Sequence, residues 1–144
     1  SMTRFIMSLE EAVNLVLYTF EHGISGDIMV QKAPACTIQT LAEAVRDIFN
    51  PSAEINIIGV RHGEKMYEAL LTKEEASRAV DMGDFYRVPA DNRDLNYDKY
   101  LVSGSKRITE AEEFDSNNTN ILDREAVKEK LLKLSYIQNE LMNM

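Results

Sequence analysis

The sequence predicts an α/β fold: a small layered domain with short parallel strands flanked by helices. Amphipathic stretches with helix-start signals alternate along the chain with short apolar runs bounded by turn residues. Such alternation is typical of parallel strands covered by helices. A length of 144 residues suits one domain, residues 1–144, and the 44% hydrophobic share is that of a globular protein.

The first helix and strand are indicated by clear local signals. Ser8 starts a capping-box pattern, and apolar residues then recur at helical spacing as far as His22 and Gly23, which predicts a helix. Residues 28–30 are apolar and are followed closely by Pro34, so they are predicted to form a buried strand.

A second helix and strand repeat this order. Thr37 is a suitable N-cap, one apolar stripe follows it, and Asn50 with Pro51 ends the stretch. The apolar run of residues 55–60 is predicted to be a second buried strand.

The second half of the chain is less regular. A capping box at Thr72 predicts a helix that closes near Gly83, residues 85–88 suit a short strand, and Asp123 can cap a last helix. Residues 89–120 are polar with weak periodicity, which fits either long functional loops or a partly disordered connection.

Composition excludes several classes of function. A net charge of −8 argues against nucleic-acid binding, so an anionic ligand would need a local basic pocket. The single Cys36 cannot form an internal disulfide, which favours a reduced compartment and hence the cytoplasm. The apolar stretch of residues 5–20 is interrupted by Glu10 and Glu11, so no membrane span is expected.

The loop of residues 61–65 is the strongest candidate for a binding site. It follows the predicted strand of residues 55–60, and ligands of open α/β sheets collect beyond the carboxyl ends of strands. Arg61 could grip a diphosphate in bidentate fashion, Gly63 permits close backbone approach, and Glu64 could accept hydrogen bonds from ribose hydroxyls. Arg4 is a candidate second phosphate contact. The alternative interpretation is a solvated surface turn with weakly paired charges.

Other residues indicate no catalytic or metal chemistry. His22 and His62 lack the spacing of a metal site, so no metal is predicted. The sequence has no glycine-rich turn between a strand and a helix, and no tyrosine followed four residues later by lysine. We therefore expect neither a dinucleotide site nor a catalytic residue in this chain. Polar residues 87–94, with Tyr97 and Tyr100, either rim a sugar pocket or form solvated loops.

Several segments in order carry a resemblance to a known family. They are Met2 to Phe5, Leu9 to Val13, Gly26 to Pro34, Ile57 to Glu68 and Asp94 to Tyr100. Over nearly its whole length the chain resembles the C-terminal region of capsular and O-antigen polysaccharide enzymes: UDP-N-acetylglucosamine 4,6-dehydratases with 5-epimerase activity, often labelled UDP-glucose 4-epimerases. Residues 117–120 and 131–134 are similar to the branch that makes N-acetyl-L-fucosamine precursors.

The resemblance implies a role in substrate binding. These enzymes are extended short-chain dehydrogenase/reductases, with NAD(P) in an N-terminal Rossmann domain and the UDP-sugar held by the C-terminal part, which this chain resembles. In these enzymes hydride passes from sugar C4 to the cofactor, the C5 proton and the C6 hydroxyl leave as water, and hydride returns to C6. Reprotonation of C5 on the opposite face inverts that carbon. Arg4, Arg61 and Glu64 match family residues that contact the UDP portion. Where many relatives carry proline between the arginine and the glycine, this chain has His62.

Two hypotheses follow for the function. The first is an enzyme part that binds a UDP-N-acetylhexosamine, is inactive alone, and needs the N-terminal Rossmann domain for cofactor and catalysis. The second is a non-catalytic nucleotide-binding or assembly module. In the intact enzyme of the first hypothesis the two predicted strands would join a larger sheet. Without that sheet this chain would expose edges or apolar faces that favour a homo-oligomer.

Overall fold

The computed structural model describes residues 2–91 and 110–144, which form short helices and strands. It confirms the mixed α/β composition of a small domain. In chain order the elements are β1 (Thr3–Phe5), α1 (Leu9–His22), β2 (Ile28–Gln31), β3 (Ala35–Thr37), α2 (Ile38–Phe49), β4 (Ala69–Leu71), α3 (Lys73–Arg78), β5 (Val80–Asp81), β6 (Phe85–Val88), β7 (Phe114–Asp115), α4 (Arg124–Leu132) and α5 (Ser135–Met142).

These elements belong to two compact units. Among the described residues, the first unit comprises residues 2–8, 33–68 and 116–144, and the second comprises residues 9–32, 69–91 and 110–115.

The first unit combines one strand pair with three helices. β1 pairs antiparallel with β3, and α2 packs on α4. α2 begins where predicted, because the Thr37 hydroxyl accepts the Thr40 N–H at 2.9 Å. Asp123 caps α4 in the same way, although that helix ends at Leu132 and α5 follows as a separate helix.

The core of the first unit lies between α2, β3 and α4. Cys36, Ala44 and Val127 are fully buried at its centre. Burial raises the pKa of the Cys36 thiol, because the low-dielectric surroundings disfavour the thiolate. The partly buried residues that complete this core are Ile6, Leu41, Leu122 and Leu131.

A buried polar cluster ties β1 to two other parts of the first unit. The Thr3 hydroxyl lies 2.8 Å from the Ser116 hydroxyl and donates to Asn117 Oδ1 at 2.8 Å. The Ser116 hydroxyl in turn accepts the Glu68 N–H at 3.0 Å. Thr3 and Ser116 are buried, so their hydroxyls need these hydrogen bonds, and the bond to Glu68 fixes the end of the segment that carries residues 61–65.

The second unit contains two small antiparallel sheets. β2, β6 and β5 form one sheet in that order, and β4 pairs with β7. Val30, Leu71 and Val88 form the buried core. The capping box of α3 is present: Glu75 accepts hydrogen bonds from the Thr72 N–H and hydroxyl, and these lower the pKa of its carboxyl. This helix ends at Arg78, earlier than the predicted end near Gly83.

Helix α1 forms over the predicted residues but has no buried residue. Tyr18 stacks on Phe85 of β6 with ring centroids 4.1 Å apart. The apolar stripe that predicted the helix is exposed, and Phe20 keeps 84% of its surface accessible. The periodicity of this stripe predicted a helix face packed in a core, but within the described part of the chain the stripe packs in neither buried core.

The prediction of parallel strands is wrong, as is the predicted strand over residues 55–60. Every pairing between the named strands is antiparallel, and residues 55–60 belong to no described strand. The alternation of helices and strands sets their order, but strand direction depends on pairing between distant segments. β2 pairs with β6 from the second half of the chain, and not with residues 55–60.

Candidate functional site

A groove in the first unit carries two of the three predicted binding residues. It has a volume of about 630 Å³ and lies between α2 and residues 55–61. Arg61 and Glu64 both line it, as predicted for the loop, and both are exposed. The volume lies in the range of small-molecule sites. The groove is therefore large enough for a nucleotide-sized ligand.

Residues 61–64 form a tight turn. The Glu64 N–H donates to the Arg61 carbonyl at 3.1 Å, and Glu64 Oε2 accepts the Arg61 N–H at 2.7 Å. Gly63 has a φ of +81°, as a type II turn requires at its third position. The Glu64 carboxylate thus holds the turn together, in addition to its predicted role towards a ribose.

The geometry of the turn explains why many relatives carry proline at the position of His62. His62 is the second residue of the turn, where proline is favoured because its ring fixes φ near the required value. We predict that His62→Pro raises the free energy of unfolding by about 0.4–1 kcal/mol, because it restricts the unfolded chain. Urea denaturation would measure this change. His62→Ala is the control, and a proline variant less stable than the alanine variant would contradict the assigned turn.

Arg4 does not line the groove but supports the same segment. Its guanidinium donates to the carbonyls of Thr3 at 2.7 Å and Lys65 at 2.8 Å, and its Nε lies 3.7 Å from Glu68 Oε1. The side chain is 25% exposed. Arg4 therefore holds the backbone directly after Glu64, and its role as a phosphate contact stays a prediction.

Helix α2 supplies groove residues that the sequence argument missed. Gln39, Glu43 and Arg46 recur at the spacing of one helical face, and Gln39 Nε2 donates to Glu43 Oε1 at 2.9 Å. That spacing was visible in the sequence, but it does not say what the polar face borders. Their position beside residues 55–61 follows from the tertiary fold.

The two groove arginines differ in their surroundings. The Arg46 Nη2 lies 3.6 Å from Asp47 Oδ1, and Asp47 also approaches Arg124 at 3.4 Å. Arg61, in contrast, has no ion pair with any residue in the described ranges. Its positive charge is thus the less neutralised of the two and the better placed to attract an anion.

Of the other residues named in the sequence analysis, His22 and Arg87 do not line this groove. His22 lies in α1, and Arg87, in β6, approaches Asp27 at 3.8 Å. Residues 92–94, Tyr97 and Tyr100, proposed to rim a sugar pocket, lie outside the described residues. Across residues 2–91 and 110–144, no His, Cys, Asp and Glu side chains form a group of three or more suited to a metal. No helix in these ranges is long and apolar enough to cross a membrane.

Comparison with models of protein families shows which family this chain belongs to. A family model described as polysaccharide biosynthesis protein matches residues 1–90, and one described as polysaccharide biosynthesis protein C-terminal matches residues 91–138. The chain belongs to the polysaccharide biosynthesis protein family. The resemblance inferred from the sequence segments is thereby confirmed, and the groove with its Arg61 turn is a feature of a member of this family.

Relatives within the polysaccharide biosynthesis protein family are longer than this chain. Two proteins named UDP-glucose 4-epimerase, from Rickettsia rickettsii (strain Sheila Smith) and Rickettsia canadensis (strain McKiel), are 57% and 56% identical over 143 residues. The match covers 99% of this chain and 42% of each relative. The chain therefore spans less than half the length of these curated relatives.

A solved structure also matches this chain over only part of its own length. Pen from Bacillus thuringiensis is 27% identical, with a TM-score of 0.72, over 94% of this chain and 39% of the Pen chain. The α/β arrangement described here thus occurs in a larger solved protein.

Proposed function

We propose that this chain is the C-terminal, UDP-sugar-binding domain of a nucleotide-sugar 4,6-dehydratase/epimerase. Its substrate would be UDP-N-acetylglucosamine, in the cytoplasmic synthesis of capsule or O-antigen polysaccharide. The single observation that carries the proposal is that Arg61 and Glu64 line one groove of nucleotide size. The relatives named UDP-glucose 4-epimerase support a nucleotide-sugar ligand.

The chemistry of the groove suits a nucleotide diphosphate. The guanidinium of Arg61 offers paired N–H donors that match phosphate oxygens. Apolar side chains of residues 55–60 and Ala42 form much of the remaining wall, which suits the faces of a base or sugar. In the proposed complex Arg61 binds the diphosphate, and the Glu64 carboxylate accepts hydrogen bonds from the ribose.

Arg4 completes the proposed set of UDP contacts. A guanidinium has five N–H donors, so its two bonds to backbone carbonyls leave further donors for a phosphate. The bond from Arg4 to the Lys65 carbonyl also restrains the backbone next to the turn of residues 61–64. Loss of Arg4 would thus act both directly and through Arg61.

The residues that the structure describes do not fit a dinucleotide cofactor. Each described helix follows Ser8, Thr37, Thr72, Asp123 or Leu134, and none begins at a glycine-rich turn of the kind that cradles a diphosphate. We therefore assign NAD(P) and the catalytic residues of the proposed enzyme to an N-terminal Rossmann domain. No chemical step is assigned to this chain, which we expect to be inactive alone.

Calorimetric titration of the 144-residue chain tests the proposed binding. UDP and UDP-N-acetylglucosamine are expected to bind with similar affinity, because the proposed contacts involve the UDP portion. UMP should bind roughly tenfold or more weakly, since it lacks the second phosphate and its charge-assisted hydrogen bonds. Equal affinity for UDP and uridine would contradict a diphosphate site, and no binding of UDP would contradict the function.

The exposed apolar stripe of α1 favours a second candidate function. A face with side chains as exposed as Phe20 is typical of a surface that contacts another protein surface. The chain would then be a non-catalytic assembly module, with a homo-oligomer as one outcome. Sedimentation of the chain with and without UDP separates the two candidates: assembly without UDP binding favours the module.

A further inference from the structure

Residues 55–60 have the composition of a strand but pair with none of the strands in the described part of the chain. No residue in this segment makes a backbone hydrogen bond to another described residue. Consecutive N–H and C=O groups that have no partner among the described residues are available for pairing with another strand. The backbone of this segment in the first unit is therefore available to hydrogen-bond with an added strand.

The side chains of the segment indicate burial on both faces. In an extended chain Ile55 and Ile57 point to one side, and Ile58 and Val60 point to the other. Ile57 is 83% exposed and Ile58 is 67% exposed in the described structure. Apolar residues on both faces are typical of a strand in a sheet that is covered on both of its faces.

The longer relatives contain a region that is large enough to pair with such a strand and to cover it. More than half of each Rickettsia relative, and of Pen, lies outside the match with this chain. A short peptide could satisfy the backbone but would leave one apolar face open. A folded region of the longer chains could supply both a neighbouring strand and the cover.

We propose that in the longer family members the segment matching residues 55–60 becomes a β-strand, and that its partner strand is supplied by the region that lies outside this match. Gly59, with a φ of +77°, is compatible with a glycine bulge that ends regular pairing after Ile58. The inference rests on family membership and on the unpaired segment, and not on the proposed UDP site.

The pairing would also affect the groove, since residues 55–60 form one of its walls and lead directly into Arg61. A strand held in a ladder fixes its backbone, so the added partner would fix the starting point of the Arg61 turn. We expect the groove wall to be less constrained in the 144-residue chain than in a full-length relative.

Hydrogen–deuterium exchange resolved to single amides tests the proposal. It compares this chain with the full-length Rickettsia rickettsii relative. In the relative, amides aligned with residues 55–58 should exchange at least about tenfold more slowly than in this chain, at every second residue, because one neighbouring strand bonds alternate amides. Amides within helix α2 are the internal control and should be protected in both proteins.

Each other outcome would overturn the proposal. Fast exchange in both proteins means that no partner strand exists. Uniform slowing without alternation means burial without pairing. Protection in this chain that is lost on dilution means that a second copy is the partner, and protection that survives dilution means that the chain pairs its own segment.

A proline variant gives an independent check. Ile57→Pro removes an N–H that makes no described backbone bond, so the urea midpoint of this chain should stay nearly unchanged. In the Rickettsia relative, proline is placed separately at the two positions aligned with Ile57 and Ile58. Only one of these two N–H groups can face the partner strand, and proline at that position should lower the urea midpoint of the relative. A large loss in this chain, or no loss at either position in the relative, would overturn the pairing. None of these measurements involves UDP, so failure here is distinguishable from failure of the proposed function.

Discussion

Arg61→Ala is expected to weaken binding of UDP-N-acetylglucosamine by roughly tenfold to 150-fold. This corresponds to about 1.5–3 kcal/mol, the contribution of hydrogen bonds to a charged group. The physical reason is that Arg61 lines the groove and has no ion pair within the described ranges, so its charge is available to an anion. Calorimetric titration of the variant and of the unchanged chain measures the loss.

Two further variants make the Arg61 experiment specific. Arg61→Lys keeps the charge but loses the planar pair of donors, so its affinity should lie between those of the other two proteins. Arg124→Ala is the matched control, because it removes an arginine of α4 that does not line the groove. If Arg124→Ala weakens binding as much as Arg61→Ala, the effect comes from net charge, and a diphosphate contact at Arg61 is contradicted.

Val127→Asp is expected to lower the free energy of unfolding by about 3–5 kcal/mol. Val127 is fully buried with Cys36 and Ala44, and an aspartate there would place an unpaired carboxylate or its neutral acid in an apolar core. Urea denaturation followed by circular dichroism measures the change.

The control for Val127→Asp lies on the same helix. Leu132→Asp introduces the same side chain at the end of α4, at a position that is 40% exposed. We expect it to cost about 1 kcal/mol or less, mainly through the helix dipole. Equal losses from the two variants would show that helix propensity, and not burial in the core, accounts for the effect.

Helix starts were predictable from the sequence because their causes are local. Thr37, Thr72 and Asp123 each accept a hydrogen bond from an amide three residues later, and three residues suffice to specify that contact. Helix ends were less predictable, since α3 stops at Arg78, before the strand of residues 80–81 that pairs with β6. That ending depends on the pairing of β5 with β6, which the capping box at Thr72 does not specify.

Strand pairing was not predictable, because it depends on which distant segments meet. Residues 28–30 and 85–88 were correctly predicted as strands, but nothing in either one shows that they pair antiparallel. Residues 55–60 have the same apolar character and form no described strand. Apolar composition therefore indicated the tendency to be buried, while the partner remained a property of the tertiary fold.

The candidate site was predicted in part. Arg61 and Glu64 follow one another in a single turn, so their joint position depended on a local structure that the glycine between them indicates. Arg4 reaches the same segment from β1 through a bond to Lys65, a contact across 61 positions in the chain. The residues of α2 were missed because no local signal links a polar helix face to a particular groove.

The burial of Cys36 has a practical consequence for labelling. The thiol is inaccessible, and its raised pKa leaves little thiolate at neutral pH, which is the form that reacts with maleimide dyes. A cysteine introduced at an exposed position would thus be modified selectively while Cys36 stays in place. Fluorophores could be attached at chosen sites without first removing the native cysteine from the core that it helps to fill.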